Sequence, residues 1–300
     1  MSALTCAAVA SPDFIILERF RELWVHTGTA CNLSCPFCHE GSKPGDARLE
    51  APTPAELAPL LAAAAAHGVE RFAFTGGEPL ILKGIQDILL HALSLRPVLV
   101  LTNGTAPFIR RAHQLAQLRT APHPLGFRVG IDYPDEARHD AGRGLKNFRK
   151  ALEGLRLLHA AGFAIGITRQ VTPGEDAAAV MRAFRQLLRK QRLPEDLPIV
   201  ALPELGLPHV AALPASIAPA TPGQQVAPPA CRVSRMLLRK DGQLRFHACP
   251  LTDDVPRFDL GAQLEAALAA NVVTDHVRCA QCLGPGVDYA GAMPPLPQPR

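Results

Sequence analysis

The sequence predicts an α/β fold built on a parallel sheet, and three observations carry that prediction. Short apolar, strand-like runs alternate six times with helical stretches, the pattern of parallel strands joined by right-handed crossovers. The residue types best suited to holding a ligand, a cysteine-rich loop, Glu78, Asn103, Asp132 and Thr168, fall at or just past the C-terminal ends of those runs. Barrels and open α/β sheets place their sites there. Finally, 300 residues at 48% hydrophobic and 19% charged suffice for one large domain, or a large one with a small one attached.

Taken in order, residues 1–20 are a lead-in, and the Leu/Trp/Val content of 22–27 makes the first strand, which delivers the chain into the cysteine loop. Thr53 is the expected N-cap of the first helix, with Glu56 completing a capping box, and Gly68 follows its end. Strand 71–74 runs into Thr75-Gly76-Gly77-Glu78-Pro79, and helical periodicity resumes at Ile85, Ile88, Leu89 and Ala92. Further strands are expected at 97–101, 127–131, 164–171 and 199–202, with helices at 108–118, 145–161 and 177–190. Residues 211–230, rich in Ala and Pro without periodicity, form a linker. This sets a core at 21–210 apart from a smaller domain at 231–284. In that domain Asp241-Gly242 turns a β-hairpin over 232–246, a helix covers 260–270, and 285–300 is a Pro-rich tail.

Composition excludes some partners. A net charge of +4 with no Lys/Arg run interleaved with aromatics implies no nucleic acid. The longest apolar run, 57–66, is too short to span a bilayer, so no membrane is implied. The N-terminus lacks the basic segment of a secretion signal, and a cytoplasmic location is expected. In that reducing setting the clustered cysteines read as ligands rather than disulfides; Cys6 has no assigned role.

Cys31, Cys35 and Cys38 lie in GTACNLSCPFCHEG. Their spacing would suit one helix face, but Pro36 and the flanking Gly28 and Gly41 favour a loop wrapped around a centre. A tetrahedral zinc site, closed by His26 or His39, and a [4Fe–4S] cluster both need a fourth ligand beyond these three. The motif, with Phe37 just before the third cysteine, resembles the cysteine signature of the radical SAM superfamily. That resemblance implies a partial (β/α)6 barrel, in agreement with the count of six units. It also implies a [4Fe–4S] cluster whose fourth iron is chelated by S-adenosylmethionine, and reductive cleavage of that molecule to a 5′-deoxyadenosyl radical. A reductant such as flavodoxin or ferredoxin is implied with it.

Gly76-Gly77-Glu78-Pro79 reads by itself as a turn in which glycines admit a ligand close to backbone and a carboxylate can accept from an ammonium group. In the family it resembles the motif that binds the methionine amino group. The resemblance further suggests Phe37 near the adenine, Asn103 and Asp132 toward the ribose or substrate, and Arg143 toward the methionine carboxylate. Helix caps or ion pairs are the alternatives for these. His139 and Asp140 are expected to be solvated or capping.

Cys231, Cys249, Cys279 and Cys282 form a second set, with a C-x2-C pair at its end. By spacing it suits zinc equally well; beside a radical SAM core it resembles the twitch domain, a short relative of the SPASM domain, with one auxiliary [4Fe–4S] cluster. Four thiolates would fill all four corners, which suits electron transfer rather than substrate binding. The molybdenum-cofactor cyclase of the same superfamily has three such cysteines and ends in Gly-Gly, whereas this chain ends in Pro-Gln-Pro-Arg. The expected function is therefore hydrogen abstraction from a small molecule, with oxidation through the auxiliary cluster. A peptide- or protein-modifying maturase is the alternative, against which stand the few residues before the first strand. A non-catalytic iron–sulfur or zinc protein is the alternative of another class.

Overall fold

The computed structural model describes residues 14–172, 174–202 and 229–283. Cys6, the expected tail and all but the last two residues of the expected linker lie outside them. In chain order the elements are β1 (Phe14–Ile15), β2 (Glu22–His26), α1 (Pro54–Ala66), β3 (Arg71–Thr75), α2 (Ile85–Leu95), β4 (Val98–Thr102), α3 (Ala106–Ala116), β5 (Leu125–Gly130) and α4 (Glu136–Arg143). They continue with α5 (Asn147–Ala160), β6 (Ala164–Gln170), α6 (Ala177–Lys190), β7 (Ile199–Leu202), β8 (Ser234–Lys240), β9 (Gln243–His247), β10 (Asp259–Gly261), α7 (Leu264–Ala269), β11 (Val272–Val273) and α8 (Val277–Leu283).

Strands β2 to β7 lie side by side in sequence order and all parallel, the parallel pairing that the alternation predicts and the strand count of the partial (β/α)6 barrel that the resemblance implies. Helices cover the outer face because alternate strand residues, among them Leu23, Val25, Phe72, Phe74, Val98, Val100, Phe127 and Val129, point there and form one continuous core with the apolar faces of α1, α2, α3 and α5. The inner face carries Trp24, Ala73, Leu99, Met236 and Leu238, with Leu49 packed among them. Thr53 and Glu56 make the reciprocal capping box at α1, Glu56 N–H to Thr53 Oγ1 at 3.3 Å and Thr53 N–H to Glu56 Oε2 at 2.9 Å.

The C-terminal hairpin extends this same sheet. β8 pairs parallel with β2, with Glu22 opposite Ser234, and β9 and β10 follow antiparallel. Its turn is the two-residue one expected, with positive φ at both Asp241 and Gly242. β1 pairs with β11, so the end of the lead-in lies against the C-terminal segment. Among the described residues no helix is long and apolar enough to cross a membrane.

Three local expectations are corrected. The ligand-bearing stretch after β5 contains α4, started by Asp135, whose carboxylate accepts from Arg138 N–H at 2.9 Å; so polar a helix leaves no apolar stripe to read. His139 on α4 is buried, packed on the Phe148 ring, rather than solvated, while Asp140 does cap α5 through Phe148 N–H at 2.7 Å. The helix expected over 260–270 is shorter, because Asp259–Gly261 pairs with β9 first.

Candidate active site

The cysteine loop leaves β2 through Gly28 and lies against the segment that leaves β3. Gly77 N–H donates to Gly28 O at 2.9 Å and Glu78 N–H to Ala30 O at 3.1 Å. Two glycines are needed for this approach: a Cβ on Gly76 would stand 2.7 Å from Gly28 O, and one on Gly77 only 2.2 Å from Ala30 O. The backbone of Gly76 and Gly77 thus faces the same cavity as Cys31, Cys35 and Cys38. That cavity has a volume of about 290 Å³ and also reaches Cys231, Cys249, Cys279 and Cys282. Both cysteine sets that the spacing singles out therefore line one space at the C-terminal mouth of the strands.

Burial pushes the Cys31 thiol up to about 12 and raises those of Cys35 and Cys38. In the second set burial again dominates, taking Cys231 to about 11 and Cys282 to about 12, with Cys249 and Cys279 raised as well. Cys231, Cys279 and Cys282 add to the shift on Cys249, and Cys279 to that on Cys231, as charges sharing one small volume do. Buried thiols of this kind ionise when a metal takes them as ligands. Three thiols and four thiols lining one cavity are donor sets whose chemistry would suit an iron–sulfur group. Among the described residues no three His, Cys, Asp or Glu side chains converge on a single metal ion. His26 is committed elsewhere: its Nδ1 accepts from Gly28 N–H at 3.2 Å and its Nε2 lies 2.7 Å from Glu40.

The remaining predicted residues are brought to the same place. Phe37 packs on Gly142 of α4, with the Arg143 guanidinium 5.8 Å from its ring centre. Arg143 grips Asp132 in a bidentate pair, Nε to Oδ2 at 2.5 Å and Nη2 to Oδ1 at 2.9 Å. Pro79 opens a short 3₁₀ turn, Pro79–Ile81. Glu78 is fully buried, and its carboxylate accepts from Leu80 N–H at 3.0 Å, Thr102 Oγ1 at 2.8 Å and Asn103 N–H at 2.7 Å. Burial raises its pKa in spite of these donors. One acceptor position on Oε2 is left over. Asn103 is turned toward the cysteine loop.

Sequence reasoning missed the connection between the two cysteine regions. Arg48 donates to Glu40 O at 2.8 Å and pairs with Asp253, four residues beyond Cys249. It missed Arg235 as well, wholly buried beside Cys231, which donates to Ala267 O, Ala270 O and Cys231 O. Burial lowers this guanidinium to about 10. No sequence signal marks either arginine, since each acts through tertiary contacts. Thr168 faces the cavity as its place at a strand end suggests, and Gln170 lies beside it; among the described residues Thr168 Oγ1 and Gln170 Nε2 have no hydrogen-bond partner.

The sequence profile of the radical SAM superfamily matches residues 25–187, more than half of the chain. The chain belongs to the radical SAM superfamily. Among curated relatives of this radical SAM protein, a GTP 3′,8-cyclase of Mycolicibacterium smegmatis is 31% identical over 191 residues, 60% of this chain and 51% of that protein. The sporulation killing factor maturation protein SkfB of Bacillus subtilis is 31% identical over 143 residues, 45% of this chain and 32% of its own length. The chain thus spans about half the length, or less, of these relatives. Of solved structures, Streptococcus suis SuiB superimposes with a TM-score of 0.62 at 14% identity, covering 91% of this chain and 72% of SuiB. The anSMEcpe structure with bound AdoMet gives 0.61 at 15% identity, covering 84% and 78%. These likenesses show the fold.

Proposed function

We propose that this chain is a radical SAM enzyme in which Cys31, Cys35 and Cys38 hold a [4Fe–4S] cluster that cleaves S-adenosylmethionine, and that it oxidises a small molecule. The observation that carries this reading is the single cavity lined by Gly76, Gly77 and both cysteine sets. When bound, the cluster and S-adenosylmethionine supply a 5′-deoxyadenosyl radical able to take a hydrogen atom from substrate. The chain's own residues bind and orient. The backbone at Gly76 and Gly77, with the free acceptor position on Glu78, suits an ammonium group; Phe37 suits an adenine; and Arg143, already holding Asp132, lies near Cys35 and Phe37, where a carboxylate would stand. Thr168 and Gln170 offer unpartnered hydrogen-bonding groups to a substrate with oxygen acceptors, since leaving such groups buried and unpaired costs about 1–3 kcal/mol each. Cys231, Cys249, Cys279 and Cys282 would hold all four corners of an auxiliary cluster, which would supply an acceptor for the substrate's electron.

A peptide substrate is the second reading. SkfB is named as a maturation protein, and SuiB has been solved bound to its precursor peptide SuiA. The test is anaerobic reconstitution of the chain. About eight irons per chain are expected, four per cluster, with release of 5′-deoxyadenosine on adding dithionite and S-adenosylmethionine. Replacing Cys31, Cys35 and Cys38 together by alanine should leave about four irons and no release. Native protein holding zinc and no iron would overturn the reading at both sites. GTP and short peptides then serve as the first substrates to assay.

A further inference from the structure

We propose, on the reading of the loop as a cluster site given above, that Asn103 is a positioning residue for Cys31 and through it sets how readily that cluster accepts an electron. Asn103 follows β4 and is buried. Its Oδ1 accepts from Thr105 N–H at 3.0 Å and from Thr105 Oγ1 at 2.6 Å, so the other end of the amide is the nitrogen. That nitrogen donates to Asn32 Oδ1 at 2.9 Å and to Cys31 Sγ at 3.8 Å. Asn32 Nδ2 in turn donates to Thr105 Oγ1 at 3.0 Å, which closes a ring of three side chains. The backbone is held too, through Asn103 N–H to Glu78 Oε2.

An asparagine amide can make four hydrogen bonds, and all four are made inside the protein. The amide is thereby filled by Thr105 and the cysteine loop, which leaves it no capacity for the ribose contact that the resemblance suggests. It also cannot turn without breaking the ring. Cys31 Sγ accepts from Leu33 N–H at 3.4 Å as well, so this sulfur has a backbone and a side-chain donor. Cys38 draws on backbone donors from Glu40, Gly41 and Ser42. A donor aimed at the Cys31 sulfur stabilises negative charge on it, and hydrogen bonds to cluster sulfurs are among the features that set the reduction potential. Reduction adds negative charge, so the Asn103 donor favours the reduced state.

The experiment is a potentiometric titration of the reconstituted full chain, following the electron-paramagnetic signal that responds to S-adenosylmethionine, in wild type, Asn103→Leu, Asn103→Ala and Thr105→Val. All three replacements are uncharged. Both Asn103 variants are expected to keep wild-type iron and to show a more negative midpoint, seen as a several-fold fall in the reduced fraction at a fixed potential. Thr105→Val, which loosens the ring but keeps the donor, is expected to shift less in the same direction. Wild-type midpoints in both Asn103 variants, with S-adenosylmethionine bound more weakly, would overturn the assignment in favour of a ribose contact while leaving the cluster reading intact. Wild-type protein without iron would instead remove the cluster reading itself. If Asn103→Leu does not fold, Asn103→Ala and Thr105→Val decide.

Discussion

The two sets of cysteines are held by different means. Cys31, Cys35 and Cys38 share one short loop, pinned from below by the Gly77 and Glu78 amides and from the side by Asn32 and Asn103. Cys231, Cys249, Cys279 and Cys282 come from separate places: a 3₁₀ turn before β8, the end of β9, and α8. Cys231 and Cys279 rest on a small apolar group of Ile15, Ala248, Phe258 and Val272, to which even the start of the described chain contributes. The first set is thus fixed by hydrogen bonds to the ends of sheet strands, the second by tertiary closure. If each set holds a cluster as proposed, emptying the first should abolish chemistry and spare the fold, whereas emptying the second should touch both, because a metal held by ligands from separate segments couples to folding.

The largest effect that can break this contrast is expected from Cys279→Ala with Cys282→Ala. Formation of oxidised product should stop while 5′-deoxyadenosine is still released, and the melting transition should broaden. A folded double variant without the second cluster that turns over at the wild-type rate would show that electron transfer does not pass there. Next comes Arg143→Met, which strands the buried Asp132 carboxylate beside the first set. Breaking such a pair costs about 3–5 kcal/mol, measurable as a fall in the urea midpoint of the unloaded chain.

A pH dependence sharpens the same side of the comparison. Burial, with Arg143 adding to it, lowers His139 from 6.5 to about 4. Between those values the unfolded chain binds a proton that the folded chain does not, so stability is intact above about pH 6.5 and falls as pH drops toward 4, by on the order of 3 kcal/mol. His139→Gln should flatten that slope in urea titrations run across the range. The smallest effect is expected from Arg48→Met, the link between the two regions. It should lower stability by about 1.5–3 kcal/mol and leave Asp253, whose carboxyl burial already raises, without the cation that opposes this. Wild-type stability in this variant would mean that the two regions are held together elsewhere.

The alternation of strands and helices was legible because the outer face of the barrel is one continuous apolar core, and such faces write their period into the sequence. The cysteine loop and the GGEP turn were legible because a site made of neighbouring residues leaves its spacing in the chain. Glu78 shows where legibility stops. Its residue type suggested an ammonium contact, and nothing in its neighbours revealed that Leu80, Thr102 and Asn103 all donate to it. α4 was hidden for another reason: it is polar along its length, and its buried His139 and Asp140 serve Asp132 and the start of α5 instead of forming an apolar stripe. The joining of β8 to β2 was equally hidden, since a hairpin pattern does not say which edge it will seek.

That last pairing bears on how the chain comes to be folded. Glu22 lies opposite Ser234, so one side of the earliest barrel strand gains its neighbour only after about 210 further residues have been made. Until then β2 presents unpaired amides and carbonyls along that side, the kind of template on which other chains add strands. Contacts between such distant segments also form slowly, because a long loop must close first. During synthesis the molecule therefore passes through a stage in which the strand leading to the cysteine loop is half paired, and its exposure to aggregation ends when the C-terminal hairpin arrives.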